Sequence, residues 1–294
     1  MNIFKSYHIY ALSTVILWSL SYVFSRLAME FFSPFSLGFL RYAAASAFLI
    51  FVVLIKKVRP PKFKDLPMFA ASGAAGFFVY MIFFNLGTGM LSSATSSIII
   101  ATVPVMTAFF ARFIYGEKLV TRQWFAIAIE FIGIVLLTLI GGTFTLNKGI
   151  IWLLLAAVSL STYNLIQKKI TKKYTPLTAS SYSIFLGSIM LCIFAKSGIS
   201  EFLQAVSAVS IAYIIILGVF SSAIAYILWA EAFSKAENTS SVSNYMFITP
   251  FAAAILGFVF NAEVPDNGTL IGGIVIMFGV FLFFKDSFIK TKRE

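Results

Sequence analysis

The residues of this chain that could do chemistry are few, and several of them lie inside long apolar stretches. A charged or large amphipathic side chain in such a stretch is costly unless it faces protein or water, so its position indicates a functional surface. Arg41 is the clearest case, because a guanidinium there needs a carboxylate, a carbonyl or a water-filled cavity. It could attract an anionic group such as a carboxylate. Alternatively, it could extend to the end of the stretch or pair with Glu30.

Aromatic and amide side chains also recur at helical spacing inside the apolar stretches. A mostly apolar surface with a few polar anchors is typical of a small-molecule pocket, and we predict one here. The alternative is that the aromatic rings only fill helix interfaces and that Ser and Thr bond to carbonyls of their own helix. The predicted substrate-binding residues are Trp18, Tyr22, Arg41, Tyr80, Asn85, Asn164, Tyr226, Trp229 and Asn244.

Glu130 is a second ionisable residue in an apolar stretch, and its spacing to Gly133 continues a stripe of small residues. Such stripes favour close helix packing, so we expect the carboxyl group to face protein. Two hypotheses follow: Glu130 couples transport to protons, or it is a neutral packing residue.

Other kinds of site are poorly supported by the residue types. The chain has one histidine, His8, and one cysteine, Cys192, and it has no adjacent acidic pair and no G-x-x-x-x-G-K loop. Neither metal ligands nor a nucleophile with a base can be assembled from this set. We therefore predict no catalytic residues, no metal and no cofactor, and we keep a membrane-embedded enzyme only as the rival from another class.

The composition identifies the surroundings of these residues. The 294 residues are 60% hydrophobic and 11% charged, and their mean hydropathy is +0.95. A soluble domain could not bury so much apolar surface, so an integral membrane protein is predicted. The net charge of +11 would suggest nucleic acid in a soluble chain. Here most Lys and Arg lie between apolar stretches, which predicts membrane lipid and no nucleic acid as partner.

Ten apolar stretches are long enough to cross a hydrocarbon core of about 30 Å as helices. None shows the strict alternation of a barrel strand, so we predict an all-α fold. The basic connections place both termini in the cytoplasm, in a multi-pass protein of the cytoplasmic (inner or plasma) membrane. The predicted spans are 7–28, 34–55, 67–88, 92–114, 122–140, 148–168, 177–196, 209–232, 239–260 and 268–285.

Several helix starts and two kinks can also be predicted. Ser33, Ser92 and Thr175 precede apolar stretches as N-caps, and prolines follow the first and last of them. Pro104 and Pro250 fall inside predicted helices, where a missing amide permits a kink.

The chain contains an internal repeat. Pro104 and Pro250 are 146 residues apart, and the same offset relates Tyr80 to Tyr226. For the first two helices of each unit the offset is 142, as between Pro34 and Pro176. This predicts two five-helix repeats, 1–146 and 147–294. Because five is odd, the second repeat must be inverted relative to the first, an arrangement typical of secondary transporters.

The same residues resemble a known family. Trp18-Ser19, Ser33-Pro34 and Arg41, followed by Pro104 and Gly116-Glu117, are similar to the EamA-type repeats of the drug/metabolite transporter superfamily. The similar positions Pro250, Glu263 and Gly279 extend the resemblance over essentially the whole chain. It implies export of amino acids, other metabolites or toxic compounds.

Together, these observations predict a secondary transporter that moves a small metabolite, such as an amino acid, by alternating access. An exporter of toxic compounds or drugs is the alternative, and a passive channel is a third hypothesis. The energy would come from protons or from a counter-substrate, and the protein would be a monomer or a homodimer.

Overall fold

The computed structural model of the chain describes residues 7–115, 120–140, 147–235, 242 and 244–291. Regular structure in this part of the chain is entirely helical. We label the main helices in chain order as α1 (Tyr7–Ala28), α2 (Pro34–Ile55), α3 (Phe63–Thr88), α4 (Ser93–Ile114), α5 (Thr121–Ile140), α6 (Lys148–Ile170), α7 (Pro176–Gln204), α8 (Ala208–Ala232), α9 (Thr249–Asn261) and α10 (Asn267–Thr291).

Seven of these helices, α1 to α4 and α6 to α8, are long and apolar enough to cross a membrane. The prediction of an all-α protein with membrane-length helices is therefore confirmed. Helix α5 has 20 residues, whereas α9 has only 13 and follows a 3-10 turn at Asn244–Ile248. Ten crossings in two inverted repeats accordingly stay a prediction.

Helix α7 is longer than its predicted span of 177–196. After a 3-10 turn at Cys192–Phe194 the chain continues as a helix over Ala195–Gln204. Lys196 and Glu201 end the apolar stretch there without ending the helix. Hydropathy reports where the side chains change character, whereas the backbone hydrogen bonds continue beyond that point.

The predicted N-caps are present. The Oγ atom of Ser33 accepts a hydrogen bond from the amide of Ser36 at 3.4 Å, and Pro34 follows as the first helical residue. The corresponding bonds of Ser92 to Thr95 and of Thr175 to Thr178 measure 3.1 and 3.2 Å. These caps fix the starts of α2, α4 and α7.

The two internal prolines each follow an interruption of a helix. The backbone turns at residues 101–102 of α4 and resumes as a helix at Val103, with Pro104 next. Pro250 is the second residue of α9. In a first helical turn the missing amide of proline removes no hydrogen bond, which explains why both positions tolerate it.

Helices α3 and α8 each contain a stretch of wide, π-helical turns, at Ala74–Val79 and Ile216–Ile224. A glycine in or beside these turns lets a neighbouring helix approach closely. A Cβ atom at Gly218 would lie 2.6 Å from the carbonyl oxygen of Arg41, so α8 packs directly on the α2 backbone. Such turns often occur at functional sites, and those of α8 place Ser222 next to Arg41.

Helices α5 and α10 pack against each other along the predicted small-residue stripe. A Cβ atom at Gly133 would lie 2.6 Å from the Cγ1 atom of Ile276, and one at Gly279 would lie 2.7 Å from the Cγ atom of Glu130. Glu130 is buried in this contact, with 5% of its surface exposed.

Candidate solute-binding pocket

A pocket lies where helices from both predicted repeats meet. It contains about 450 Å³ of space that no protein atom fills, including the part continuous with solvent. Helices α1, α2, α3 and α4 contribute most of its wall, while α6, α8 and the start of α9 complete it. The lining residues are Trp18, Ser21, Tyr22, Arg41, Tyr80, Phe84, Ser97, Ile100, Ala101, Leu160, Tyr226, Met246 and Thr249.

Aromatic rings form much of this wall. The ring of Trp18 lies 5.3 Å from that of Tyr226 and 4.8 Å from that of Trp229, measured between centroids. On another side, Phe84 lies 5.3 Å from Tyr22 and 5.4 Å from Tyr80. Such contacts hold the rings in fixed orientations, which gives a ligand a rigid apolar surface.

Arg41 brings a positive charge into the wall. Its side chain is buried, with 3% exposed. The Nε atom donates to the Oγ atom of Ser222 at 2.6 Å, and the Nη2 atom donates to the Oγ atom of Ser21 at 3.1 Å. The Nη1 atom has only a long contact to the sulfur of Met81, at 3.9 Å.

The alternative prediction for Arg41, extension to the end of the helix or pairing with Glu30, is wrong. Glu30 is exposed. Serine hydroxyls hold the guanidinium inside the protein, so it has no reason to extend outward. Among the described residues no carboxylate lies within salt-bridge distance of Arg41.

Two further polar atoms in lining residues have no hydrogen-bond partner among the described residues. They are the Nε1 atom of Trp18 and the Oγ1 atom of Thr249, and both are buried. Buried polar groups are rarely left without a partner, because the desolvation cost is not recovered. A bound solute that accepts hydrogen bonds would satisfy them.

The remaining predicted binding residues do not line the pocket. Asn85 is fully buried, and its Nδ2 atom donates to the carbonyl of Pro34 at 2.9 Å, which ties α3 to the start of α2. Asn164 donates to the hydroxyl of Thr107 at 3.4 Å. Trp229 packs behind Trp18. Asn244 begins the 3-10 turn before α9, and its side chain lies outside the described residues.

Glu130, Pro104 and Pro250 are also absent from the lining residues. The Oε1 atom of Glu130 is buried without a hydrogen-bond partner in the described part of the chain. Its location between α5 and α10 separates it from the wall formed by α1 and α2.

Glu263, in the connection from α9 to α10, is the centre of a polar cluster beyond one end of the pocket. Its Oε1 atom lies 2.9 Å from the Nε atom of Arg26, and its Oε2 atom accepts from the amide of Ser93 at 2.7 Å. Asn261 donates to the same carboxylate at 2.8 Å. We call Arg26, Ser93 and Glu263 the α1–α4 clasp, because they join the end of α1 to the start of α4.

Comparison with known proteins identifies the family. The model of the EamA-like transporter family matches residues 5–139 and again residues 147–285. The chain belongs to the EamA-like transporter family. Its relatives are named as transporters and not as enzymes, which confirms the prediction that this EamA-like protein is not an enzyme.

Several curated relatives of this EamA-like protein align over most of its length. An uncharacterized transporter, YdfC, of Bacillus subtilis is 29% identical and covers 90% of this chain and 86% of its own. A probable terminal-alkyne amino-acid exporter of Streptantibioticus cattleyicolor is 28% identical, with 92% and 90% covered. An S-adenosylmethionine uptake transporter of Rickettsia felis is 26% identical, with 68% and 66% covered.

A solved crystal structure shares the fold. It superposes with a TM-score of 0.65 at 17% sequence identity, over 95% of this chain and 96% of the other. The agreement extends over nearly the full length of both chains, so this EamA-like protein shares its fold with a solved structure.

Eight lining residues and one anchoring residue, Ser222, were not predicted as site residues. The eight are Ser21, Phe84, Ser97, Ile100, Ala101, Leu160, Met246 and Thr249. Ser21 lies three residues after Trp18, so helical spacing was a signal that could have found it. Ser222 lies in the π-helical turns of α8, where the ordinary helical period fails. For Met246 and Thr249 the sequence carries no comparable signal.

Proposed function

We propose that this protein is a secondary transporter that exports a small metabolite, such as an amino acid, by alternating access through the pocket around Trp18 and Tyr226. Membership of the EamA-like transporter family supports transport, and the solute, the direction and the mechanism go beyond that membership.

The observation that carries the proposal is the composition of the pocket wall. Trp18 and Tyr22 come from the first predicted repeat, and Leu160 and Tyr226 come from the second. A site between two repeats is exposed to alternate sides of a membrane when the repeats exchange conformations. Aromatic rings with few polar anchors suit a small amphipathic solute.

The proposed mechanism has α1 to α10 crossing the cytoplasmic membrane as two inverted repeats, 1–146 and 147–294, with both termini in the cytoplasm. The interruptions before Pro104 and Pro250 would act as points of bending during the exchange. A gradient of protons or of a counter-substrate would drive concentrative transport. Glu130 is the residue considered for proton coupling, and its packing against Gly279 outside the pocket favours the alternative, a neutral packing residue.

An amino acid is supported by the relative from Streptantibioticus cattleyicolor, whose name gives amino-acid export. The Rickettsia relatives are named for uptake, so direction differs among relatives, and export rests on the family resemblance. Export of toxic compounds is the second candidate, because an aromatic wall of this kind also accepts apolar organic molecules.

Counterflow in proteoliposomes tests the proposal. Purified protein would be screened for solutes that raise its melting temperature, and each one would then be tested for exchange against a preloaded unlabelled solute. A carrier gives saturable uptake that preloading accelerates, and we expect this behaviour. Flux that rises linearly with solute concentration would instead indicate a channel.

A pair of variants locates the solute. Trp18→Ala and Tyr226→Ala should each weaken the affinity for a transported solute at least tenfold, since each removes an aromatic wall of the pocket. Trp152→Ala is the matched control, because Trp152 stacks on Phe83 and does not line the pocket. Unchanged affinity in both pocket variants would show that the solute binds elsewhere.

A further inference from the structure

We propose that the pocket selects a monoanionic carboxylate with an apolar body, and that the carboxylate, not an amino group, is the feature that is recognised. This inference rests on the proposed function, because it specifies the solute of the same pocket. Four observations carry it: the charge of Arg41, its free edge, two donors without partners, and the residue types of the wall.

The first observation is an unbalanced positive charge. Arg41 is the charged residue among the described lining residues. Its two close hydrogen-bond partners are neutral serine hydroxyls, and its guanidinium also lies over the ring of Tyr42, 5.8 Å from the ring centroid. A buried ion without a counter-ion is strongly destabilising, since neutral hydroxyls recover only part of its lost hydration. An anionic solute would supply the missing charge.

The second observation is the arrangement of the guanidinium. Ser222 and Ser21 engage Nε and Nη2, which fixes the plane of the group. Nη1 keeps only the sulfur contact to Met81 at 3.9 Å, which is weak. The guanidinium is thus held rigidly while part of its hydrogen-bonding capacity remains for a planar acceptor such as a carboxylate.

The third observation is the pair of lining residues with unpartnered polar atoms, Trp18 and Thr249. The indole N–H can only donate, and a hydroxyl can donate as well as accept. A carboxylate presents two oxygens that accept several hydrogen bonds, so it is the kind of acceptor that Arg41 and these two groups lack. An ammonium group could not satisfy the indole, because it has no acceptor.

The fourth observation defines the rest of the solute. No Asp or Glu occurs among the described lining residues, so an amino group would meet only ring faces and hydroxyls. A phosphate dianion would need a second cation beside Arg41, and the described wall offers none. The fitting class is therefore a carboxylate of single charge, with or without an amino group, whose apolar part packs against Tyr22, Tyr80 and Phe84.

Three small probes separate the carboxylate from the amino group. The melting temperature of the purified protein would be titrated with 3-phenylpropionate, with phenylalanine and with phenethylamine. We expect the two carboxylates to stabilise the protein and phenethylamine to do so at least tenfold more weakly. Stabilisation by phenethylamine at equal or lower concentration than by phenylpropionate would overturn the proposal.

Variants connect the selectivity to one residue. Arg41→Gln should remove the preference for carboxylates, and Arg41→Lys should retain part of it, because the charge remains without the planar geometry. Arg59→Gln is the control, since it removes an exposed arginine outside the pocket. If Arg41→Gln is too unstable to purify, Ser222→Ala should still weaken carboxylate binding severalfold. Unchanged carboxylate binding in both Arg41→Gln and Ser222→Ala would contradict the role of Arg41.

The binding test and the transport test can have opposite outcomes, so each proposal can be contradicted without the other. Carboxylate binding without counterflow would contradict the proposed transport while leaving the selectivity intact. Saturable counterflow of cations alone would support transport and contradict the selectivity.

A different observation carries a second inference: we infer that the α1–α4 clasp closes the pocket on the side of the α9–α10 connection. Arg26 lies four residues after the lining residue Tyr22, and Ser93 lies four residues before the lining residue Ser97. Arg26 and Ser93 are thus each about one helical turn, or about 6 Å, beyond the pocket on their own helices. Opening the pocket on this side must separate α1 from α4, and Glu263 bonds to both.

Thiol labelling tests the clasp without any solute. In a Cys192→Ser background, Ser97→Cys places a reporter in the pocket and Val264→Cys, at a residue 75% exposed, marks the side of the connection. A membrane-impermeant methanethiosulfonate applied from the side that labels residue 264 should label residue 97 about tenfold faster in Glu263→Gln than in its parent.

Glu201→Gln is the matched control. Glu201 also binds the start of a helix with its carboxylate, through the amide of Ser33 at 2.7 Å, but it contacts α2 rather than α1 and α4. The Glu201→Gln variant should leave the labelling rate of residue 97 unchanged. Equal rates in Glu263→Gln and its parent would overturn the clasp, whatever the outcome of the transport assay.

Discussion

The two predicted repeats contribute unequally to the pocket, although sequence offsets relate their helices. Helix α1 lines the pocket with Trp18, Ser21 and Tyr22, whereas α6 lines it with Leu160 alone. Leu160 is the position 142 residues after Trp18, so the same location has an indole in one repeat and a simple aliphatic side chain in the other. Both helices reach the pocket, and only the first brings polar groups.

The corresponding residues of the second repeat serve packing instead. Tyr163 is the counterpart of Ser21, and its ring packs on Gly76, where a Cβ atom would lie only 2.3 Å from the ring. The centroid of the same ring lies 5.7 Å from that of Tyr226. Ser183, the counterpart of Arg41, accepts a hydrogen bond from Gln167 at 3.3 Å. The comparison teaches that two similar sequence units can contribute a framework twice while most polar side chains of the pocket wall come from one of them.

The largest effect should come from moving the charge between the repeats. The double variant Arg41→Ser with Ser183→Arg should yield little folded protein. Residue 183 packs tightly against α3, since a Cβ atom on Gly73 would lie only 2.6 Å from the carbonyl oxygen of Ser183. An unpaired arginine buried there would lower the free energy of unfolding by about 3–5 kcal/mol. Detergent extraction and size-exclusion chromatography would measure the yield, with Arg41→Ser alone as control. A well-folded double variant that binds carboxylates would show that the repeats are interchangeable at this position.

The next effect concerns the matched pair at the pocket wall. Trp18→Leu gives both repeats the same residue and should weaken solute binding by roughly ten- to a hundredfold, because about 1.5–3 kcal/mol of aromatic contact is lost. Titration of the melting temperature would measure it. Leu160→Trp should fill the pocket and favour smaller solutes. Wild-type affinity in Trp18→Leu would mean that the indole is only a packing residue.

A smaller effect should separate Tyr22 from Asn164, which are 142 residues apart. Tyr22→Phe should weaken binding about two- to fivefold, since the ring stays and only a hydroxyl beside the pocket is lost. Asn164→Ala should leave binding within about twofold, because Asn164 bonds to Thr107 outside the pocket wall. A greater loss in Asn164→Ala than in Tyr22→Phe would reverse the proposed asymmetry.

The smallest effect is expected at Glu130. Glu130→Gln preserves the shape of a side chain packed against Gly279, so we expect near-normal transport and an unchanged pH profile. The measurement is counterflow and proton-driven uptake between pH 5.5 and about 8. Loss of proton-driven uptake with counterflow retained would establish the proton-coupling role and would extend function to α5 and α10.

Much of this architecture follows from the sequence because membranes restrict the choices. Long apolar stretches must be helices, and Ser33, Ser92 and Thr175 begin three of them as predicted. Five of the nine predicted binding residues line the pocket, since large amphipathic side chains in lipid-spanning stretches need a sheltered surface. These five are Trp18, Tyr22, Arg41, Tyr80 and Tyr226.

The remainder depended on details that periodicity does not encode. Asn85 is as polar as a residue that binds a ligand, yet its Nδ2 atom donates to the carbonyl oxygen of Pro34 at the start of α2. Ser222 is directed to Arg41 by π-helical turns, which shift the helical period locally. Distinguishing a ligand-binding group from a packing group required knowing where each partner lies.

The carboxylates that hold the starts of α2 and α4 come from late in the chain. Glu201 accepts from the amide of Ser33, and Glu263 accepts from the amide of Ser93. A ribosome therefore produces both helices before these carboxylates exist, so the serine caps are the partners available to the first turns at that stage. A chain that ended at residue 146 would therefore lack the carboxylate partners of the Ser33 and Ser93 amides.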